Sequence, residues 1–275
     1  AMTRLVVPQD ELGDAVALRT LLQTGASTVG YAVAGVLVAA VGSGWAIVAD
    51  ACTFAFAAVA FARLRVPHVR TPRAASAVAD LKDGLREVMR HSWLWLLILQ
   101  ALLYHLFYGG AQAVLGPVVV GQGIGRSAWG LALAVLMAGF VTGGLLCLRI
   151  RPRRPLAAGV VLLAFTGFFP LAMALSDTLW PVLLGAFLHG LGLQMFDVYW
   201  EQSIQSHVPE DKLARVYAFD TVGSFVARPV GLALTGPVAT AVGFDTWLLV
   251  VAAVISGVSL VALAARGVRD LERVG

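Results

Sequence analysis

Ionisable and hydrogen-bonding side chains recur at helical spacing inside three long apolar stretches of this sequence. In one of them Asp197 and Glu201 lie four positions apart, so a helix places them on one face. Two carboxylates at this spacing repel each other when both are ionised, and one of them can then hold a proton at cellular pH. We therefore predict proton coupling or gating at Asp197 and Glu201, with a solvated carboxylate or interdomain ion pair as the alternative for Glu201.

A second charged pair follows in the next apolar stretch, where Asp220 and Arg228 also share a helix face. An arginine does not lose its charge, so inside a membrane it needs a carboxylate, an anionic ligand or water. We predict Asp197 or Asp220 as its partner. The pair either breaks when the carboxylate is protonated or is a static buried ion pair.

A third polar face precedes these two and carries side chains that combine an apolar body with a hydrogen-bonding tip. Such side chains suit aromatic or polycyclic compounds that bear polar groups, although hydrogen bonds between packed helices are the alternative. Two residues on the helix of Asp197 extend the set. The predicted substrate-binding residues are Gln100, Tyr104, His105, Tyr108, Gln112, His189 and Gln194.

The composition shows what must position these residues. Hydrophobic residues make up 59% of the chain and charged residues only 13%, about half the charged share of a soluble domain. Apolar runs long enough to cross a bilayer recur along the chain. The sequence therefore predicts an all-α polytopic membrane protein with eight transmembrane helices, at residues 13–41, 45–62, 93–119, 128–148, 156–175, 179–203, 217–242 and 246–265.

The placement of basic residues predicts the topology. Lysine and arginine collect in alternate loops, including the RIRPRRP loop at 149–155, whereas the opposite loops hold only Arg126. Cytoplasmic loops are enriched in these residues, so both ends of the chain are expected in the cytoplasm. For the RIRPRRP loop, topology and contact with lipid headgroups are favoured over a gating role. Within the polar segment that follows residue 63, apolar residues at helical spacing from 78 to 89 predict a helix on the membrane surface.

Several classes of function find no support in the sequence. It contains no ATP-binding motif, no metal-ligand spacing, no nucleophile elbow and no haem signature, so we predict neither an enzyme nor a bound metal or cofactor. The loop placement of the basic residues argues against nucleic acid as a partner. Cys52 and Cys147 lie within apolar runs and are interpreted as packing residues rather than a disulfide.

One segment occurs twice. Residues 7–42 align without a gap with residues 208–243, and 14 of the 36 positions are identical. A long-period repeat in an apolar chain is typical of transporters built from duplicated bundles. Because four spans precede the second copy, we expect two six-span halves and four further spans upstream of residue 1; a natural eight-span protein starting at Met2 is the alternative.

These motifs resemble the major facilitator superfamily, most closely its enterobactin-exporter-like drug and siderophore efflux branch. The resemblance covers nearly the whole chain and is carried by VPQDEL, WAIVADACTFAFAAVAFARLR, DLKDGLREV with HSWLW, RIRPRRP, and VYWEQSIQSHVPEDKLARVYAFDTVGSF. It implies that the eight spans are helices 5 to 12 of a twelve-helix fold in a bacterial-type plasma membrane. It also implies a protein that works as a monomer at full length.

The resemblance divides the chain into five parts. Residues 1–12 are a cytoplasmic connector, 13–63 the last two helices of the N-terminal half, and 64–92 a cytoplasmic linker with the surface helix. Residues 93–265 are the six-helix C-terminal half and 266–275 a cytoplasmic tail.

The expected function is proton-coupled efflux of a small amphipathic compound, drug-like or siderophore-like, by alternating access. The partners are then membrane lipid, the small molecule and protons. One departure leaves alternatives open, because the run from Gly30 to Gly35 lacks the proline and one glycine of the Gly-Pro-x-x-Gly-Gly element associated with antiporters. Nutrient uptake by the same fold is one alternative, and a non-transporting truncated membrane subunit is another.

Overall fold

The computed structural model describes residues 11, 13–15, 17–18, 21–22, 25–26, 43–63 and 77–273. All regular structure in these residues is helical. The elements are α1 (Ser43–Arg63), α2 (Ala77–Arg90), α3 (Ser92–Gly123), α4 (Arg126–Arg149), α5 (Pro155–Leu175), α6 (Leu179–His207), α7 (Glu210–Val242), α8 (Phe244–Ala264) and α9 (Arg266–Arg269).

Six of these helices, α3 to α8, are long and apolar enough to cross a membrane in the part of the chain that the structure describes. The prediction of an all-helical polytopic protein is therefore confirmed. The predicted span 13–41 and the connector 1–12 lie mostly outside the described residues, as do linker positions 64–76 and the last two residues of the tail. The predicted span 45–62 corresponds to α1, in which the apolar section Ile47–Val59 is shorter than the other six helices.

Two helices extend beyond their predicted bounds at the end of the bundle that carries the charged residues. Helix α6 continues to His207, and α7 begins at Glu210 rather than at residue 217. Glu210 and Asp211 occupy the first turn of α7, where carboxylates favour helix formation because they face the positive end of the helix dipole. The predicted spans follow apolar runs alone and therefore do not include these polar turns.

The bundle is held together by close approach of helix backbones. A side chain at Gly139 of α4 would overlap the backbone carbonyl of Phe187 in α6, and one at Gly190 of α6 would overlap the carbonyl of Leu136 in α4. Small residues at such positions let two helices touch along their backbones and replace the hydrophobic driving force that is absent within a bilayer. Helices α4 and α6 are thereby fixed in register.

Helix α3 joins this pair to the remaining helices. Trp93 of α3 packs edge to face against Trp200 of α6 with ring centroids 5.7 Å apart. One turn further along α3, Leu97 is almost fully buried. Toward the other end of α3, Gly110 lies so close to α7 that a side chain there would overlap Thr235. Helix α8 covers the other side of α3 and α5 with Ile255, which is fully buried.

The described residues of the first predicted span lie against α4 and α6. Ala17 is fully buried in a small cluster with Cys147 and Met195. One turn further, Leu21 sits against Gly144. Near the start of the span, Asp14 forms a salt bridge with Arg151 in the loop between α4 and α5.

The amphipathic helix expected at 78–89 corresponds to α2, which a buried carboxylate attaches to the start of α7. Glu87 is only 2% exposed and lies 2.7 Å from the Nζ atom of Lys212. His91 and Arg90 lie 3.2 Å and 3.4 Å from the same carboxylate. The hydrogen bond from Lys212 is the main reason that the pKa of Glu87 lies below its ordinary value of 4.5.

Replacing Glu87 with Gln is expected to lower the melting temperature at pH 7, because Lys212 loses its buried charged partner. A carboxylate with a depressed pKa stabilises the fold fully above its unfolded-state pKa and stops doing so as the pH falls through its folded-state pKa. The difference in melting temperature between wild type and Glu87→Gln should therefore shrink below about pH 4.5. Asp83→Asn, an exposed change on the same helix, should produce no such difference. An equal effect of the two substitutions would contradict this role of Glu87.

Candidate functional site

Helices α3, α6 and α7 enclose a cavity of about 170 Å³ that brings together side chains from all three predicted polar faces. We call it the acidic cavity, because two carboxyl side chains lie in its wall. Asp197 is exposed, whereas its neighbours Phe196 and Val198 are buried, so its carboxylate points into open space. The polar lining consists of Gln100, Tyr104, His105, Asp197, Trp200, Asp220 and Ser224.

The carboxylates of this cavity form an electrostatically coupled group. The indole Nε1 of Trp200 donates a hydrogen bond to Asp220 at 3.3 Å and so holds that side chain at the interface of α6 and α7. Asp197 and Asp220 lie close enough for their charges to repel each other, and Glu201 acts on both. Carboxylates that repel one another inside a membrane are expensive to ionise together. The arrangement can therefore bind a proton or a cation.

The α3 side of the acidic cavity is organised by hydrogen bonds. Gln100 donates to the Ser259 hydroxyl at 2.9 Å, which ties α3 to α8. The Nδ1 atom of His105 lies 2.8 Å from the backbone carbonyl of Ala101, so Nδ1 carries the proton and Nε2 is left as an acceptor. A ligand in the cavity would thus find an imidazole acceptor opposite the carboxylates.

His189 is held between three helices. Its Nδ1 donates to the carbonyl oxygen of Thr166 in α5 at 2.9 Å, so Nε2 accepts the hydroxyl proton of Tyr104 at 3.2 Å. The ring stacks on Tyr108 with centroids 4.2 Å apart and is only 1% exposed. With both nitrogens used, His189 is in place to orient Tyr104 and Tyr108.

A second opening continues from the acidic cavity along the bundle axis. We call it the arginine groove; its volume is about 780 Å³, and its polar lining is Tyr108, Gln112, His189 and Arg228. Leu193 lines both spaces and separates them. Gln100 and Gln112 lie twelve residues apart on α3, so the two openings together extend over about 18 Å at the usual helical rise of about 1.5 Å per residue.

Arg228 is exposed in this groove, with its aliphatic stem against Gly109. Within the described residues it forms no salt bridge with Asp197 or Asp220. Eight positions separate Asp220 from Arg228 on α7, which places them about 12 Å apart along the helix axis. The hydroxyl of Tyr108 is buried beside the groove and has no hydrogen-bond partner among the described residues.

The predicted site residues thus fall into three groups. Gln100, Tyr104, His105, Asp197 and Asp220 meet in the acidic cavity, whereas Tyr108, Gln112, His189 and Arg228 line the arginine groove. Gln194 and Glu201 line neither space. Gln194 is buried against the glycines of α4, and Glu201 accepts a hydrogen bond of 2.6 Å from Gln205 near the end of α6.

Two aromatic residues that frame Asp197 are not among the predicted site residues. Phe196 and Trp200 both line the acidic cavity, and their rings stack with centroids 6.2 Å apart. Their spacing of four residues was the available signal, because it places both rings on one helix face. Among the described residues no group of three metal-binding side chains was found.

A family profile of the Major Facilitator Superfamily matches residues 1–169, which is more than half of the chain. The chain is 26% identical over 252 residues to proteins described as multidrug efflux pump Tap, from Mycobacterium tuberculosis (strain ATCC 25618 / H37Rv) and Mycobacterium bovis (strain BCG / Pasteur 1173P2). The match covers 89% of this chain and 59% of each relative, so the chain spans about three fifths of their length.

The extent of the family match, the six apolar helices and the polar cavity between them agree with one another. The chain therefore belongs to the Major Facilitator Superfamily, a family of membrane transporters and not of enzymes, as the sequence predicted.

Proposed function

We propose that the protein is a secondary active transporter that exports a small amphipathic compound in exchange for protons by alternating access. The observation that carries this proposal is the acidic cavity, where Asp197 is exposed between aromatic walls in the middle of the bundle. The description of the mycobacterial relatives as multidrug efflux pumps supports export rather than uptake.

In this proposal the substrate lies along the acidic cavity and the arginine groove. The aromatic rings contact its apolar body, while His105 and Gln112 offer hydrogen-bonding groups at the two ends. His189, fixed by the Thr166 carbonyl, positions Tyr104 and Tyr108 along this path. Gln194 supports the α4–α6 contact behind the site.

Proton coupling is assigned to Asp197 and Asp220. Substrate and proton compete for the same carboxylates in an antiporter, so one leaves when the other binds. Arg228 lies about 12 Å further along α7 than Asp220 and is free to meet a negative group of the substrate in this conformation. Arg228 pairs with a carboxylate in another conformation of the transport cycle. Glu201 contributes to gating at the end of α6.

The proposal also assigns the helices. Helices α3 to α8 correspond to the six helices of the C-terminal half of a twelve-helix fold, and the first predicted span and α1 to the last two helices of the N-terminal half. The duplicated segments 7–42 and 208–243 support this assignment, since they enter corresponding helices of the two halves. The proposed branch is that of enterobactin-exporter-like efflux proteins. In this proposal the protein is a monomer in the plasma membrane, and its connector, linker and tail face the cytoplasm.

Dye transport in inside-out membrane vesicles tests the proposal. Vesicles from cells that produce the protein at its natural length should accumulate an amphipathic dye such as ethidium when the lumen is acidified. Accumulation should stop when nigericin collapses the pH gradient. If the gradient alters the flux of none of a panel of dyes and siderophores, the proposal is wrong; flux in the opposite direction would establish uptake.

A further inference from the structure

A separate groove of about 850 Å³ runs along the outside of the bundle, between α4, α5 and α6. It shares no lining residue with the acidic cavity or the arginine groove. Its walls are apolar and include Leu146, Ala158, Val161, Leu162, Leu191 and Met195. Arg153 and Arg154 lie at one end, in the loop between α4 and α5.

The groove opens toward the surface that would face the bilayer. Val161 in its wall is 38% exposed, and the neighbouring Leu145 is 50% exposed. Ala17 of the first predicted span packs with Met195 and Tyr199 at the border of the groove, but no described residue of that span lines the groove itself. An apolar surface of this kind on a transmembrane helix is ordinarily covered by lipid chains.

The dimensions suit one acyl chain. The groove follows α6 from Leu191 to Tyr199, eight residues that rise about 12 Å. One leaflet contributes about 15 Å, half of a hydrocarbon core about 30 Å thick. A chain lying in the groove would therefore remain within a single leaflet, with its headgroup beside the arginines.

The charges at the mouth of the groove are unequal. Arg154 lies 3.4 Å from Asp270, which is shared with Arg269 at 3.4 Å, and 3.9 Å from Glu272, which also lines the groove. Arg153 is exposed and forms no salt bridge within the part of the chain that the structure describes. The backbone nitrogen of Arg273 donates to the Arg153 carbonyl at 2.9 Å, so the tail holds this residue in place. Among the described residues, three arginines and two carboxylates therefore meet at this end of the apolar groove, which leaves one net positive charge.

We propose that this groove is a binding site for an anionic phospholipid, with an acyl chain between α5 and α6 and the phosphate on Arg153. Apolar walls alone would accept any lipid. The free guanidinium selects for net negative charge, because a zwitterionic headgroup carries its own cation and gains less from the contact.

Native mass spectrometry of the full chain, purified in mild detergent, tests the proposal. The probe is palmitoyl-oleoyl-phosphatidylglycerol, compared with the phosphatidylcholine that carries the same acyl chains. Wild type should retain one molecule of phosphatidylglycerol in preference to phosphatidylcholine. Arg153→Ala should reduce that preference about fivefold, as expected for the loss of one basic residue close to an anionic lipid.

Two further variants separate the site from general electrostatics. Arg149→Ala removes an exposed arginine nearby that does not line the groove, and should leave the preference unchanged. Ala158→Trp fills the groove without changing any charge and should reduce retention of both lipids. Equal retention of the two lipids by wild type, or equal losses in Arg153→Ala and Arg149→Ala, would overturn the proposal. If Ala158→Trp does not fold, the comparison of Arg153→Ala with Arg149→Ala still tests the proposal.

Discussion

Replacing Asp197 with Asn is expected to abolish the dependence of dye transport on a pH gradient. The substitution keeps the size of the side chain and removes its ability to take up a proton. Asp197 is the carboxylate most exposed to the acidic cavity, so it meets both protons and substrate there. Stimulation of the flux by the gradient should fall by at least about fivefold. This factor corresponds to a coupling free energy of about 1 kcal/mol, the lower end of the usual range.

The measurement that isolates coupling is exchange without a gradient. Vesicles preloaded with unlabelled substrate should still exchange it for labelled substrate in the Asp197→Asn variant, because Asp220 remains as a carboxylate of the site and exchange requires no net proton movement. Asp177→Asn is the matched control, since Asp177 is an exposed aspartate in the turn between α5 and α6. Gradient-driven flux equal to that of wild type in Asp197→Asn would exclude Asp197 as the coupling residue.

Asp220 differs from Asp197 because its side chain already takes part in a contact between α6 and α7. Its carboxylate accepts the Trp200 indole hydrogen bond, and an asparagine can still accept that bond through its amide oxygen. A variant at this position therefore tests charge alone, with the α6–α7 contact retained.

The polar faces could be predicted from the sequence, but their grouping could not. A helical period of about 100° per residue is enough to place Gln100, Tyr104 and Tyr108 on one side of α3. Which of them faces which partner depends on the vertical register of α3 against α6, and that register is set by contacts such as Trp93 on Trp200. For this reason Tyr104 lines the acidic cavity, whereas Tyr108 lines the groove beyond it.

His189 shows a second limit of sequence reasoning. On a helical wheel it shares a face with Asp197, so both residues were assigned to the site. The structure buries His189 because the backbone carbonyl of Thr166 accepts its Nδ1 proton. A backbone acceptor cannot be identified from residue types, because every residue has a carbonyl group. The 3₁₀ turn Phe165–Gly167 that contains this carbonyl is also not predicted from the sequence.

Replacing Gly139 with Ala is expected to destabilise the bundle, although alanine is the better helix former. The new methyl group would overlap the carbonyl oxygen of Phe187 and lie 2.9 Å from the backbone nitrogen of Leu191. Neither atom can move without shifting α6 itself. Overpacking of this kind costs about 1–3 kcal/mol, which exceeds the gain of about 1 kcal/mol in helix propensity when the strain is not relieved.

Gly130 provides the control on the same helix, because a side chain there meets nothing within 4 Å. Thermal unfolding in detergent, followed by loss of the monodisperse peak, should show a lower midpoint for Gly139→Ala and an unchanged or higher midpoint for Gly130→Ala. If the two variants unfold at the same temperature, α4 and α6 do not touch along their backbones as described.

The pair of substitutions Gly139→Ala and Gly190→Ala extends this test to the contact itself. Each glycine faces a carbonyl oxygen of the opposite helix, so either methyl group pushes α4 and α6 apart. Once one substitution has separated the helices, the second meets less resistance, and its additional cost should be smaller than its cost alone. Simple addition of the two effects would mean that each substitution acts within its own helix. An additional cost below that of the single substitution would show that both glycines act through one shared α4–α6 interface.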